Sequence, residues 1–189
     1  MKTIYFISAN EHKIEEVKSF FASRAPLKNF TVDTANIKID EIQHKDMEEI
    51  VKEKAVTAYK KLRRPVFVEQ TGLLIKRFGD LPGGLTQVFW DSLHAEKFAE
   101  FFVSRDATEV IAKTIIAYCD GRTIRCFEGK TEGTIVEPKQ AENFQWDCVF
   151  QPGGSQKTFA EMDLLEKNTF SMREKALKKF ADYLEEDHD

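Results

Sequence analysis

Three cysteines in 189 residues are too few to organise a fold. Cys119, Cys126 and Cys148 lack the short repeated spacing of a zinc site, and an odd number forms no closed disulfide set. They read as reduced thiols of a cytoplasmic protein. Long apolar runs are missing too. Nothing approaches the ~20 residues that a membrane helix needs, and Met1 to Ile7 is too short for the apolar core of a secretory signal. A basic excess is also absent. The net charge of -4 advertises no nucleic-acid surface, although a few lysines in one cleft would still hold a nucleotide. Internal repeats and low-complexity tracts are lacking. What remains, 42% hydrophobic and 32% charged, has the balance of a globular protein. Its length suits a single domain over 1–189, of two small lobes, burying roughly 70% of the unfolded surface.

The chain is organised around Pro65 to Gly84, P-V-F-V-E-Q-T-G-L-L-I-K-R-F-G-D-L-P-G-G. Pro65 to Glu69 opens as a buried strand of β-branched and aromatic residues. Glu69, Gln70 and Thr71 are expected at the end of that strand, where α/β proteins place their chemistry. Gly72 lets a backbone or a ligand come close. Leu81-Pro82-Gly83-Gly84 closes the segment as a second turn. A strand, a bend and a plain loop would read the same way.

Thr3 to Ile7 reads as a buried strand that stops at Ser8-Ala9-Asn10. A helix begins near Glu11, with Ile14, Val17, Phe20 and Phe21 at helical spacing. A strand, a short polar turn and a helix N-terminus make an anion site, because the first backbone N–H groups are unpaired and the dipole is positive there. Lys13 lies in this first turn, where a cation is unfavourable unless an anion offsets it; a solvated lysine is the plainer reading. Phe30 to Ile39 reads as a second strand and Asp40 to His44 as a polar loop. A helix then runs from Asp46 to about Leu62, with Lys52, Lys54, Lys60 and Lys61 mostly on its wet side. A further helix is expected from a cap at Asp91 or Ser92. Glu109 to Tyr118, Thr123 to Phe127 and Thr131 to Val136 read as three sequential antiparallel strands, the first two joined at Asp120-Gly121. They imply a mixed sheet whose later strands build the second lobe. Phe144, Trp146 and Asp147, beside Pro152-Gly153-Gly154, suit a flat ring ligand or an ordinary core edge. The last helix opens with a capping box, Ser171 to Glu174, in which Arg173 reads as a surface charge.

Together, these segments resemble the inosine triphosphate pyrophosphatase family, which hydrolyses nonstandard purine nucleoside triphosphates. The resemblance covers nearly the whole chain. It rests on S-A-N-E-H-K (8–13), E-I-Q (41–43), V-E-Q-T-G-L (68–73) and L-P-G (81–83). It continues through F-E-G-K-T-E-G-T-I (127–135), F-Q-W-D-C-V-F-Q-P (144–152), T-F-A-E-M (158–162) and E-K-N-T-F-S-M-R-E-K-A (166–176). The resemblance implies an α/β fold: a long, mixed, twisted sheet with flanking helices, two lobes and a central cleft, assembled as a homodimer. It implies a purine triphosphate as substrate and Mg2+ as cofactor. Ser8, Asn10 and Lys13 match the phosphate-binding turn, and Lys54 matches a second lysine facing the phosphates. Glu41 matches the metal-binding glutamate, and Glu69 sits in an acidic pair at the metal and the catalytic centre, followed by Thr71 and Gly72. Phe144, Trp146 and Asp147 match the surroundings of the base; Lys167 and Arg173 match residues near the phosphates and the purine.

The sequence departs from the family where chemistry is expected. Gln70 stands in place of the aspartate expected as general base, and an amide has neither the charge nor the basicity. Met172 replaces a histidine that precedes the arginine, and a thioether hardly hydrogen-bonds a purine edge. Ala9 and Gln145 stand where glycine is usual, and Gln87 near where many relatives carry lysine or another polar residue. Two outcomes are open. One is a magnesium-dependent pyrophosphatase with shifted base preference. The other is a nucleotide-binding homologue that has lost turnover and serves as a sensor or partner subunit.

Overall fold

In the computed structural model, which describes residues 2–103, 108–139 and 145–186, the apolar runs of the sequence become one curled mixed sheet carrying five helices. The strands are β1 (Lys2–Ile7), β2 (Phe30–Ala35), β3 (Val66–Ile75), β4 (Leu81–Gly83), β5 (Thr108–Cys119), β6 (Ile124–Ile135) and β7 (Phe150–Pro152). Their order is β2-β1-β3-β5-β6-β7, with β4 paired to β3. β1 lies parallel to both β2 and β3, and the β3-β5, β5-β6 and β6-β7 pairs are antiparallel.

The helices are α1 (Glu11–Ala22), α2 (Met47–Leu62), α3 (Thr86–Phe102), α4 (Leu164–Phe170) and α5 (Met172–Glu185). Strand periodicity decides which helix each residue of β3 meets, since successive side chains point to opposite faces. Phe67 joins a core with Val17 and Phe20 of α1 and Leu177 and Phe180 of α5. Val66 and Val68 join the opposite core with Val51, Ala55 and Ala58 of α2. A third core lies at the far end of the sheet, where Leu73 and Ile75 meet Phe98 and Phe102 of α3 together with Trp146, Phe150 and Phe159. Among the described residues, no helix is long and apolar enough to cross a membrane.

Three boundaries differ from the sequence reading. Glu69, Gln70 and Thr71 are not at a strand end. Ten residues of β3 pair in register with β5, so the three sit mid-strand opposite Ile116, Ile115 and Thr114. The two segments read as Thr123 to Phe127 and Thr131 to Val136 are one strand, β6, because Gly129 and Gly133 let α5 and β7 press against it rather than breaking it. Helix α3 starts at Thr86, ahead of Asp91, and is interrupted at His94, whose φ is 57°. Its start is fixed by Thr86, whose hydroxyl donates to Gly83 O at 2.6 Å and accepts from Leu73 N at 2.9 Å.

Candidate active site

At the C-terminal end of β1 the chain turns through Ser8-Ala9-Asn10 into α1. Asn10 is the N-cap: its side chain accepts from Lys13 N at 3.1 Å, and its own N–H donates to Ser8 Oγ at 3.1 Å. This turn forms one wall of a cavity of about 440 Å³. Ser8 and Asn10 face it from this turn and Lys13 from α1, Glu41 and Lys54 from the second wall, and Gln70 and Thr71 from β3. Gln87 of α3 and Gln145 close it from the far end of the sheet. Lys54, on the wet side of α2 by simple periodicity, is instead mostly covered, with only 12% of its side chain exposed. It pairs with Glu41 and donates to Glu69 O at 3.3 Å.

Behind this wall lies a chain of alternating charges. Lys13 Nζ is 2.9 Å from Glu69 Oε1. Arg173 grips the same carboxylate through Nε at 2.6 Å and Nη2 at 3.1 Å, and Thr71 donates to it at 3.3 Å. The remaining guanidinium nitrogen of Arg173 pairs with Glu16. Lys167 then bridges Glu16 at 3.3 Å and Asp147 at 2.7 Å. Such planar, two-point pairing suits arginine and leaves little of either partner unsatisfied.

The chain of charges sets the protonation of its members. Burial by itself would raise Glu69, but Arg173 and Lys13 outweigh it and hold the carboxyl far below its usual range. Glu16 follows the same pattern, with burial overcome by Arg173 and Lys167. For Asp147 burial wins over Lys167, and its carboxyl is raised. Lys54 is lowered by burial and then by Lys13, against the pull of Glu41.

The structure gathers Ser8, Asn10, Lys13, Glu41, Lys54, Gln70 and Thr71 on one cavity and leaves others elsewhere. Gly72 serves the backbone rather than a ligand. A Cβ there would run into Gly83 O of β4 and lie 3.1 Å from Thr86 Oγ1. Trp146 offers no open platform; it is 3% exposed and packs edge-on against Phe150 at 5.7 Å. Met172, expected near a purine edge, is buried in that same apolar core. Arg173 is no surface charge, being 2% exposed inside the ion chain. Asp147 and Lys167 are its far end and do not line the cavity. Phe144 lies outside the described residues. Glu69, expected to act as a metal ligand and central carboxylate, has both oxygens engaged by Lys13, Arg173 and Thr71 and does not line the cavity.

Sequence reading missed Glu16. The available signal was its position three residues after Lys13, which puts both on one helix face.

The donors fit magnesium only modestly. That ion keeps several waters and takes one or two protein carboxylates together with phosphate oxygens. Among the described residues Glu41 is the one carboxylate lining the cavity, with the Gln70 amide oxygen as a neutral group on the same lining. Among the described residues no group of three or more His, Cys, Asp or Glu stands ready for a metal. The set suits an ion held mainly by its ligand's phosphates, with Glu41 as the protein's share.

This geometry can be set beside known proteins. The model of the Ham1 family matches residues 4–183. Inosine triphosphate pyrophosphatase of Candida albicans is 34% identical over 200 residues, covering 97% of this chain and 98% of its own. That of Kluyveromyces lactis is 36% identical over 186 residues, covering 96% and 95%. Among solved structures, a HAM1 protein from Coxiella burnetii superposes with a TM-score of 0.82 at 24% identity, covering 97% of this chain and 98% of that one. The Staphylococcus aureus Ham1 protein gives 0.78 at 21% identity, with the same coverage of 97% and 98%. With a family match running almost end to end and relatives above 30% identity along their full length, this chain belongs to the Ham1 family.

Proposed function

We propose that the protein is a nucleoside triphosphate pyrophosphatase, cleaving a purine triphosphate between its α- and β-phosphates to give the monophosphate and pyrophosphate. The observation that carries this reading is the convergence of Lys13 and Lys54, from two different helices, on one cavity that also receives the N-terminus of α1. The names of the relatives, inosine triphosphate pyrophosphatases, point the same way. The active unit is a single two-lobed domain, working as a cytoplasmic homodimer.

The residues act on charge. At rest Lys13 is held by Glu69 and Lys54 by Glu41. An entering polyphosphate competes for both ammonium groups. It also offsets their mutual repulsion, which after burial is the second cause that lowers Lys54 in the free protein. The backbone N–H groups after Asn10 receive a phosphate oxygen at the positive end of the helix. Arg173 and Glu69 hold Lys13 in place from behind. Glu41 would hold a magnesium ion together with the substrate, and the ion would supply charge neutralisation for the pyrophosphate leaving group. Gln70 faces the cavity with an amide that orients a water through hydrogen bonds and takes no proton from it.

The same residue supports a second reading, a nucleotide-binding homologue without turnover, because among the described residues Glu41 is the cavity's only lining carboxylate and is already paired. Release of pyrophosphate from inosine, xanthosine and adenosine triphosphates, with and without magnesium, separates the two. Metal-dependent release supports the enzyme. Tight triphosphate binding with no release, corrected by Gln70→Asp, supports the binding protein. Failure to bind any triphosphate overturns both.

A further inference from the structure

Across the cavity from the lysines, Asp91 Oδ1 accepts from Gln87 Nε2 at 2.6 Å, and Gln145 Nε2 donates to Gln87 Oε1. Gln87 and Asp91 are four apart on α3, so both stand on one helix face. Gln145 opens the 3-10 helix Gln145–Cys148, on a separate element. The direction of this relay is forced. A carboxylate accepts and does not donate, so Asp91 draws the NH2 group of Gln87 toward itself. The carbonyl of Gln87 therefore faces Gln145 and draws the NH2 of Gln145 in turn. The relay uses one N–H of Gln145 and fixes its amide plane, so its carbonyl oxygen, the side chain's one acceptor, has an orientation set two residues away, with the second N–H beside it. Gln145 also holds a φ of 49°, a left-handed conformation disfavoured for a residue with a Cβ. Backbone strain of this kind persists where surroundings over-determine it, commonly at ligand sites.

We propose that the Asp91–Gln87–Gln145 relay makes Gln145 a specificity-determining acceptor, selecting nucleotides that present a hydrogen-bond donor to this wall. The proposal rests on the nucleotide reading above. The donor is an O–H of the sugar or an N–H of the base, chemistries that one acceptor serves equally. Gln145 touches the ligand; Gln87 and Asp91 are positioning residues that keep its amide from turning over.

The test uses the full chain and α,β-methylene triphosphates, whose α–β bridge does not hydrolyse, with dissociation constants read by calorimetry. In one arm inosine is compared with 2′-deoxyinosine and 3′-deoxyinosine. In the other it is compared with N1-methylinosine. The wild type is expected to favour the donor-bearing nucleotide by about tenfold in one arm, the worth of one hydrogen bond. Gln145→Leu should bring that ratio close to one, and Asp91→Asn, which lets the relay run in either direction, should reduce it partway. The arm that responds names the donor, sugar or base. Thermal melts establish that both variants fold, and Gln145→Ala offers a second removal of the acceptor. Ratios in both arms identical between the wild type and Gln145→Leu overturn the proposal and leave Gln145 as a latch between elements. Absence of any nucleotide binding by the wild type instead overturns the nucleotide reading itself, and the relay with it.

Discussion

Glu69 and Gln70 are neighbours in sequence and strangers in space. Alternation along β3 sends Glu69 to the α1–α5 side, where Phe67 also points, and Gln70 to the α2 side with Val68. A carboxylate at 69 therefore cannot stand in for one missing at 70. If turnover is limited by the absent base, Gln70→Asp should raise the rate of pyrophosphate release roughly 10²–10⁴-fold, read at saturating substrate and magnesium. An unchanged rate would put the limiting step elsewhere. Glu69→Gln acts by another route: it leaves the Arg173 guanidinium, 2% exposed, without its main counter-charge. The expected loss is about 3–5 kcal/mol of stability by urea titration, with activity falling as a consequence. Met172→His should cost about 1–3 kcal/mol by burying an imidazole without partners, and leave the preference among bases unchanged. These side chains show where sequence runs out. Lys13 and Glu69 stood out in the sequence because a cation in a first helical turn and a charge in an apolar strand are chemically unusual, but the ion pair they form, with Glu69 in mid-strand, was not readable from that. Whether Arg173, Trp146 and Met172 face a ligand or a core depends on packing between separate segments of the chain, which no local pattern encodes.

Elements were easier to read than contacts, because each carries its own period and its own stop signals. Strand β1, helix α1, helix α2 and the capping Ser171 of α5 were all visible in the order of apolar residues and caps. The join of two strand segments into β6 was hidden by Gly129 and Gly133, which look like breaks. In the fold they are places of close approach. A Cβ at Gly129 would press into Met172 O and lie 2.8 Å from Ala176 N, both backbone atoms of α5. Helix α5 carries Arg173, so Gly129→Ala should lift the first turn of that helix and strain the Arg173–Glu69 pair with it. A drop in melting temperature together with weakened triphosphate binding is expected; a melting temperature equal to the wild type would show that α5 accommodates the methyl group. At the other end of the site, Asn10→Ala removes the acceptor for Lys13 N and should cost about 1 kcal/mol in stability.

On the scale of the molecule, the ion chain ties α1, β3, α4, α5 and the Gln145–Cys148 turn into one electrostatic body, and its acids do not respond to pH alike. Glu69 and Glu16 are both lowered from 4.5 in the folded protein. A lowered carboxyl contributes stability that is intact above its unfolded value and is lost as pH falls toward the folded one. Asp147 is raised from 3.8, so it works in the opposite sense: protonation favours the folded state through the window just above 3.8. Two acids against one, with Glu69 the more strongly shifted of the two glutamates, give a net loss on acidification. The urea midpoint should therefore change little, as far as these three groups go, from pH 7 to about 5, then fall steadily below 4.5. Because the pairs are mostly buried, moderate salt should alter this acid limb far less than it would a surface pair. The decisive comparison is Glu69→Gln, which is less stable at pH 7 but has no titrating group at that position. Its acid limb should be shallower than that of the wild type, the two curves drawing together as the pH falls. Parallel curves would mean that the acid sensitivity resides outside the ion chain, and that Glu69 is not the charge on which these five elements depend.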